Sequence, residues 1–163
     1  MWPWLPMQQR MKEFTMKDEA VKALLKRALY GHISTVGGDG YPYTVAVHFV
    51  YLNDKIYFHG LPKGQKLDNI AKCSKVCFNV DELTKVMLSG IDSPCKADAE
   101  YESVVIIGDA AVVNDIELKR TVLKDIVKKY IPMDPNMPIP GNMENGTAVI
   151  EVKIKSITGK YHE

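Results

Sequence analysis

The residues best suited to chemistry fall in one short stretch, His59-Gly60-Leu61-Pro62-Lys63-Gly64-Gln65-Lys66-Leu67. Its pattern predicts a strand end, a glycine-containing loop with two lysines, and then a helix start. Amides of such a loop and of a first helical turn point outward with partial positive charge, which suits a phosphate. Lys63 and Lys66 add full charges, although the spacing is not the GxxxxGK[ST] of a Walker loop. A plain strand-to-helix turn with solvated lysines is the competing reading. His48 and His59 fall on adjacent predicted strands and can therefore approach each other. With no third ligand or nearby carboxylate they make a poor metal site, and no metal is expected. A hydrogen-bonded structural histidine and a histidine beside a redox ligand both fit the pattern.

Other chemistries lack their residues. No GxSxG is present, and Ser103 is flanked by strand residues instead of a nucleophile elbow. No GxGxxG follows a strand, which excludes a Rossmann dinucleotide site. Cys73, Cys77 and Cys95 form no CxxC pair and no zinc set, so reduced thiols in a cytoplasmic protein are expected. Met133, Met137 and Met143 lie in a proline-rich stretch and suit core or lid packing better than metal binding.

These residues need a scaffold, and the hydrophobic period supplies one. Thr15-Met16-Lys17-Asp18 has the form of a helix N-cap, and Val21, Leu24, Leu25 and Ala28 recur at helical spacing towards a stop at Tyr30-Gly31. From Gly31 the period changes to that of strands. His32 to Val36, Tyr41 to Leu52 and Lys55 to Gly60 are joined by the turns Gly37-Gly38-Asp39-Gly40 and Asn53-Asp54, which predicts a three-stranded antiparallel meander. Gln65 to Lys72 predicts a short helix with Leu67, Ile70 and Ala71 inward. Val76 to Val80 predicts a strand that Lys85 to Leu88 continues or pairs with, followed by a polar loop from Gly90 to Ala99. Ser103 to Asn114 predicts a strand with a bulge at Gly108. Asp115 caps a helix running to Tyr130, residues 131–146 hold no period, and Thr147 to Thr158 closes with a last strand. The order α-β-β-β-α-β-β-β-α-β points to a closed antiparallel barrel with peripheral helices.

Composition agrees with one ordinary domain. The chain has 163 residues, 46% of them hydrophobic and 25% charged, enough to make a core without disulfide or metal. The expected division is an N-terminal arm, 1–14, and a single domain, 15–163. Lys and Arg number 21 against 20 Asp and Glu, and the signs alternate along the chain, so no nucleic acid is expected as a partner. No window approaches a membrane-spanning run, and the apolar start with its two prolines does not fit a signal peptide.

Four segments together resemble the FMN-binding split-barrel superfamily related to pyridoxamine 5′-phosphate oxidase, and within it the nitroimidazole-resistance branch. They are Met11 to Leu29; Gly31-His32-Ile33-Ser34-Thr35 running to Tyr41-Pro42-Tyr43-Thr44-Val45-Ala46-Val47-His48-Phe49; Ile56 to Gly60 with Lys63 to Leu67; and Tyr101 to Ala110. The resemblance implies a mainly β fold, a six-stranded antiparallel split β-barrel with peripheral helices, and a homodimer with FMN at the subunit interface. It implies that Thr44, Val45, Ala46, Val47 and His48 lie along the flavin ring. His59 would end the next strand near that ring, Lys63, Gly64 and Lys66 would approach the phosphate, and Tyr101 and Ser103 would lie near the cofactor. Where the vitamin-B6 oxidases carry an Arg-Lys pair, this chain has Pro62-Lys63. Their C-terminal substrate-binding extension is also missing, so pyridoxamine-phosphate oxidation is not expected. The function implied is a cytoplasmic FMN-dependent oxidoreductase that passes hydride or electrons to a small-molecule acceptor, with His59 as the catalytic candidate and Lys63 as the first phosphate ligand. A non-catalytic FMN storage or sensing module, or a split barrel for haem or a deazaflavin, are the rivals.

Overall fold

The computed structural model describes residues 13–87, 93 and 98–162. Most of the expected N-terminal arm, Leu88, Cys95 and most of the expected polar loop lie outside the described residues, and the last two residues of that loop belong to a strand.

Helix α1, Asp18–Arg27, buries Val21, Leu24 and Leu25 and carries acids in its first turn and bases in its last, each favoured by the helix dipole. Its N-cap is Lys17, with no side-chain cap bond. Thr15, the expected cap, instead pairs antiparallel with Lys160, so the chain enters the helix as an added edge of the sheet. The helix also ends before Tyr30-Gly31. Gly31 opens strand β1, Gly31–Val36, because a Cβ there would come within 2.5 Å of the Phe78 ring.

Strands β2, Pro42–Val47, β3, Phe49–Leu52, and β4, Lys55–Gly60, follow. The Asn53-Asp54 turn has φ of 50° and 56° at its two residues, the left-handed pair that a tight hairpin requires. Helix α2, Gln65–Lys72, leads to β5, Lys75–Met87, and β6, Asp98–Val112. Ala71 is exposed there. The inward position belongs to Asn69, whose amide donates to the buried Thr35 hydroxyl at 3.0 Å. Helix α3, Ile116–Tyr130, starts where the Asp115 carboxylate accepts from the amides of Glu117 and Leu118. Residues 131–146 are not wholly irregular, since Gly141–Asn145 makes a short helix, α4. Strand β7, Ala148–His162, is longer than expected: Gly159 to His162 pair with β6, Tyr101 facing His162.

The seven strands form one antiparallel sheet in the order β2-β1-β5-β6-β7-β4-β3. Three expectations are corrected here. The run Tyr41 to Leu52 is broken at His48, which makes seven strands instead of six. The three-stranded meander becomes two hairpins, β1-β2 and β3-β4, at opposite edges of the sheet. The hydrogen-bonded ladder therefore does not close; the chain itself crosses from one edge to the other at His48. The sheet nevertheless curls about one core, and Phe49 of β3 meets Phe78 of β5 edge-to-face at 5.2 Å. α1 and Ile70 of α2 join that core, while α3 packs Val122, Leu123 and Ile126 on the outer side of β3, β4 and β7. The irregularity expected at Gly108 is present, but the extra residue is Lys155 on the facing β7. Among the described residues, no helix is long and apolar enough to cross a membrane.

Candidate functional site

The crossing at His48 creates a shallow recess of about 360 Å³, lined by Tyr30, Ala46, Val47, His48, His59 and Lys66. Its walls follow from strand register. Phe49 pairs with Phe58, so one residue further out His48 comes opposite His59. His32 pairs with Ala46, and Tyr30 stands edge-on to His32 at 5.6 Å. Alternation sends Val45 and Val47 towards the core and leaves Thr44 and Ala46 exposed on the outer face. The Thr44 hydroxyl bonds to that of Ser34 at 2.8 Å, so it stands beside the recess without lining it.

His59 is half-buried, and its Nδ1 is buried with no hydrogen-bond partner. Burial, with the charges of His48 and Lys66 adding to it, pushes its imidazole below the ordinary histidine range. The ring is therefore neutral near pH 7, with one nitrogen to donate and one to accept. A buried polar atom without a partner costs free energy, and a ligand in the recess would repay it.

Lys66 reaches back over the end of β4: a Cβ on Gly60 would lie 3.2 Å from its Nζ. It belongs to the first turn of α2, whose N-cap Gly64 has φ 122° and no side-chain cap bond. The Leu67 and Asp68 amides bond to the Gly64 carbonyl. The Gln65 and Lys66 amides have no carbonyl within the helix and point outward. Lys63 is exposed in the bend before Gly64 and does not line the recess. A neutral imidazole with an unpartnered nitrogen, a half-buried lysine and a helix start fit the ring, edge and phosphate of the flavin that the sequence implies.

Tyr101 and Ser103 are not brought into this group. They lie on β6, three strands from β2, a separation of about 14 Å at ordinary strand spacing. There the Ser103 hydroxyl accepts from Asn79 at 3.4 Å, and Tyr101 lies parallel to the His162 ring. Among the described residues, no three His, Cys, Asp or Glu side chains gather as a metal site. Cys73 and Cys77 are free, half-buried thiols. A hollow of about 490 Å³ lies between α3 and the 135–144 segment, lined by Leu123, Val127 and Ile139 among others. Within one chain that segment packs on α3 and contributes nothing to the recess.

The sequence reading missed three residues around the crossing. Tyr30, read as the end of a helix, is a wall of the recess. The Tyr130 hydroxyl accepts from the Phe49 amide at 2.9 Å and donates to the Leu29 carbonyl at 2.8 Å. Lys129 Nζ donates to the Phe49 carbonyl at 3.0 Å and sits 4.0 Å from the centre of the Phe49 ring. Nothing in the pattern of α3 marks its last two residues; only their partners do. Burial pulls the Lys129 ammonium from the ordinary 10.5 down to about 8, with Glu82 opposing. An unfolded chain then holds more protons than the folded one between those values, so stability should rise with pH from about 8 to about 10. The raised phenols of Tyr51 and Tyr57 act in the opposite sense only above about pH 10, while the raised Cys77 thiol opposes within the window and does so equally in wild type and variant. Urea midpoints measured near pH 8 and pH 10 should move apart in the wild type and draw together in Lys129→Met. Equal pH dependence in the two proteins would mean that Lys129 keeps an ordinary proton affinity.

Residues 17–161 match the family model of pyridoxamine 5′-phosphate oxidase. Among solved structures, a candidate 5-nitroimidazole antibiotic resistance protein from Bacteroides thetaiotaomicron superposes with a TM-score of 0.78 at 22% identity, covering 90% of this chain and 86% of that one. The flavocytochrome Anf3 from Azotobacter vinelandii gives 0.81 at 22% identity, covering 95% and 72%. An FAD and haem binding protein from Mycobacterium smegmatis gives 0.80 at 20% identity, covering 90% and 72%. Likeness at this level of identity concerns the fold. Among curated proteins, none matches the sequence.

Proposed function

The chain belongs to the pyridoxamine 5′-phosphate oxidase family, and from that premise we propose that it binds FMN in the recess at the β2–β3 crossing and serves as an oxidoreductase towards a small acceptor. The observation that carries the reading is the unpartnered Nδ1 of His59, buried beside Lys66 and the start of α2. Flavin-binding neighbours of the same fold, and a neighbour described by 5-nitroimidazole resistance, support it.

When bound, the flavin supplies hydride or electrons, a chemistry that belongs to the cofactor. The residues of the chain do the rest. Lys66 and the first amides of α2 hold the phosphate, with Lys63 as a solvent-exposed second cation. The edge strand β2, from Thr44 to Val47, offers backbone groups and the small Ala46 side chain to the flavin ring. His59, neutral and half-buried, hydrogen-bonds at Nδ1 and is placed to give or hold a proton beside an acceptor; His48 forms the facing wall.

We further propose a homodimer. The recess is shallow on one chain, and Tyr101 and Ser103 are too far across the sheet to enter it. A second copy laid over the outer face would cover the flavin and could bring Tyr101 of the partner subunit near it.

The test is the visible absorption of freshly purified, concentrated protein, followed by titration with FMN. Flavin bands, with FMN released on denaturation, are expected. Stopped-flow reoxidation of the reduced protein by a nitroaromatic should then be faster than that of free reduced FMN, and His59→Ala should both slow it and weaken FMN binding. A colourless protein that takes up no FMN would overturn the reading, and a haem or deazaflavin spectrum would replace the cofactor. Bound FMN that no acceptor reoxidises any faster would leave a storage or sensing module.

A further inference from the structure

The crossing at His48 presents a structural problem that α3 solves. Phe49 is fully buried, yet both groups of its peptide backbone find their partners outside the β3–β4 ladder. The amide meets the Tyr130 hydroxyl at 2.9 Å and the carbonyl meets Lys129 Nζ at 3.0 Å. The same hydroxyl donates to the Leu29 carbonyl at 2.8 Å. One phenol therefore ties together the two chain segments that carry Tyr30 and His48, which are two walls of the recess. The Tyr130 ring does a second job: it lies against the His48 imidazole at 4.3 Å between centroids and 24° between planes. His48 is exposed, and an exposed side chain lacks the packing that would otherwise select one rotamer. This stack supplies it.

We propose that Tyr130, with Lys129 behind it, is a positioning residue of the recess: its hydroxyl sets the distance between the Tyr30 and His48 walls, and its ring fixes the His48 imidazole where the flavin ring is to lie. This inference rests on the flavin reading above. A supporting role accounts for the hydroxyl contacts with Leu29 and Phe49 and for the packing of the Tyr130 ring against the cluster of Val122 and Leu123. The stack on a solvent-exposed histidine is what such a role leaves over, and it acts as preorganisation of a surface that something else will touch.

Three variants separate the possibilities: Tyr130→Phe keeps the ring and loses the hydroxyl, Tyr130→Leu loses both, and His48→Ala removes the ring being held. The first readout needs no flavin. The ring protons of His48, assigned by their loss in His48→Ala, should be displaced upfield in the proton NMR spectrum by the tyrosine face. That displacement should persist in Tyr130→Phe and vanish in Tyr130→Leu. The second readout is FMN affinity together with the absorption band of the bound flavin. Tyr130→Leu should weaken FMN about tenfold and shift the band, the scale of one well-placed contact. Combining it with His48→Ala should cost no more than the larger single change, because the two residues act as a unit.

A folded Tyr130→Leu protein with unchanged FMN affinity and band would overturn the inference, as would losses that simply add in the double variant. Should Tyr130→Leu fail to fold, the hydroxyl role is decided by Tyr130→Phe: unchanged affinity and band would overturn it. A wild-type protein that takes up no FMN overturns the proposed function, and it overturns the positioning role as well. A His48 displacement that nevertheless persisted would then leave Tyr130 as a structural clamp, a different outcome from failure of the stack itself.

Discussion

Gly108→Ala is expected to destabilise the protein by about 2–3 kcal/mol, the upper part of the range for forcing extra volume into a packed interior. The site is unforgiving because the obstacle is backbone. An added Cβ would lie 2.4 Å from the Lys153 carbonyl oxygen and 2.9 Å from a Val152 methyl. Both belong to β7, a central strand bonded to β6 on one side and to β4 on the other. Side chains can rotate away from a methyl group, but β7 cannot retreat without loosening both ladders. For a chain of this size the loss corresponds to about 4–12 °C in melting temperature. Gly141→Ala is the control, since a Cβ there meets nothing within 4 Å. A Gly108→Ala protein that melts with the wild type would show that β6 and β7 are further apart at this point.

Lys66→Ala is expected to weaken FMN by about 1.5–3 kcal/mol, the range for a hydrogen bond to a charged group, or about 10–150-fold. Lys63→Ala should cost less than about 1 kcal/mol, because an exposed charge in a loop is screened by water and salt. The ranking inverts the sequence-based expectation, which put Lys63 first. Its basis is placement: Lys66 is half-buried, lies against Gly60 and lines the recess, whereas Lys63 does none of these. Fluorescence quenching of FMN on titration measures both variants, with Lys66→Gln distinguishing loss of charge from loss of packing. Equal effects, or a larger one from Lys63, would move the phosphate to the bend and away from the start of α2.

Residue type alone settles the parts of this protein that depend on near neighbours. Asn53-Asp54 is a left-handed turn because those residue types tolerate positive φ between two β-rich runs. Asp115 caps α3 because a carboxylate one residue before a helix reaches the free amides. Gly108 marks the irregular point of β6 because only glycine permits the close approach of β7. The stretch from His59 to Lys66 was legible as strand, bend and helix start for the same reason.

Long-range packing settles what no local rule contains. The run from Pro42 to Leu52 has no proline or glycine inside it to announce a break, yet it breaks at His48 because the curled sheet needs one chain at both of its edges. That crossing opens the recess, sets His48 opposite His59, and leaves the backbone of Phe49 to partners from elsewhere. Lys129 and Tyr130 are about 80 residues away in the chain, and only the packing of α3 on the outer side of β3 brings them there. The proposed preference for Lys66 over Lys63 as phosphate ligand has the same origin. Both are lysines at a helix start, and what separates them is which one the end of β4 partly buries. Residue type and spacing specify the chemistry a segment is capable of; burial and long-range contact select the residues that are placed to perform it.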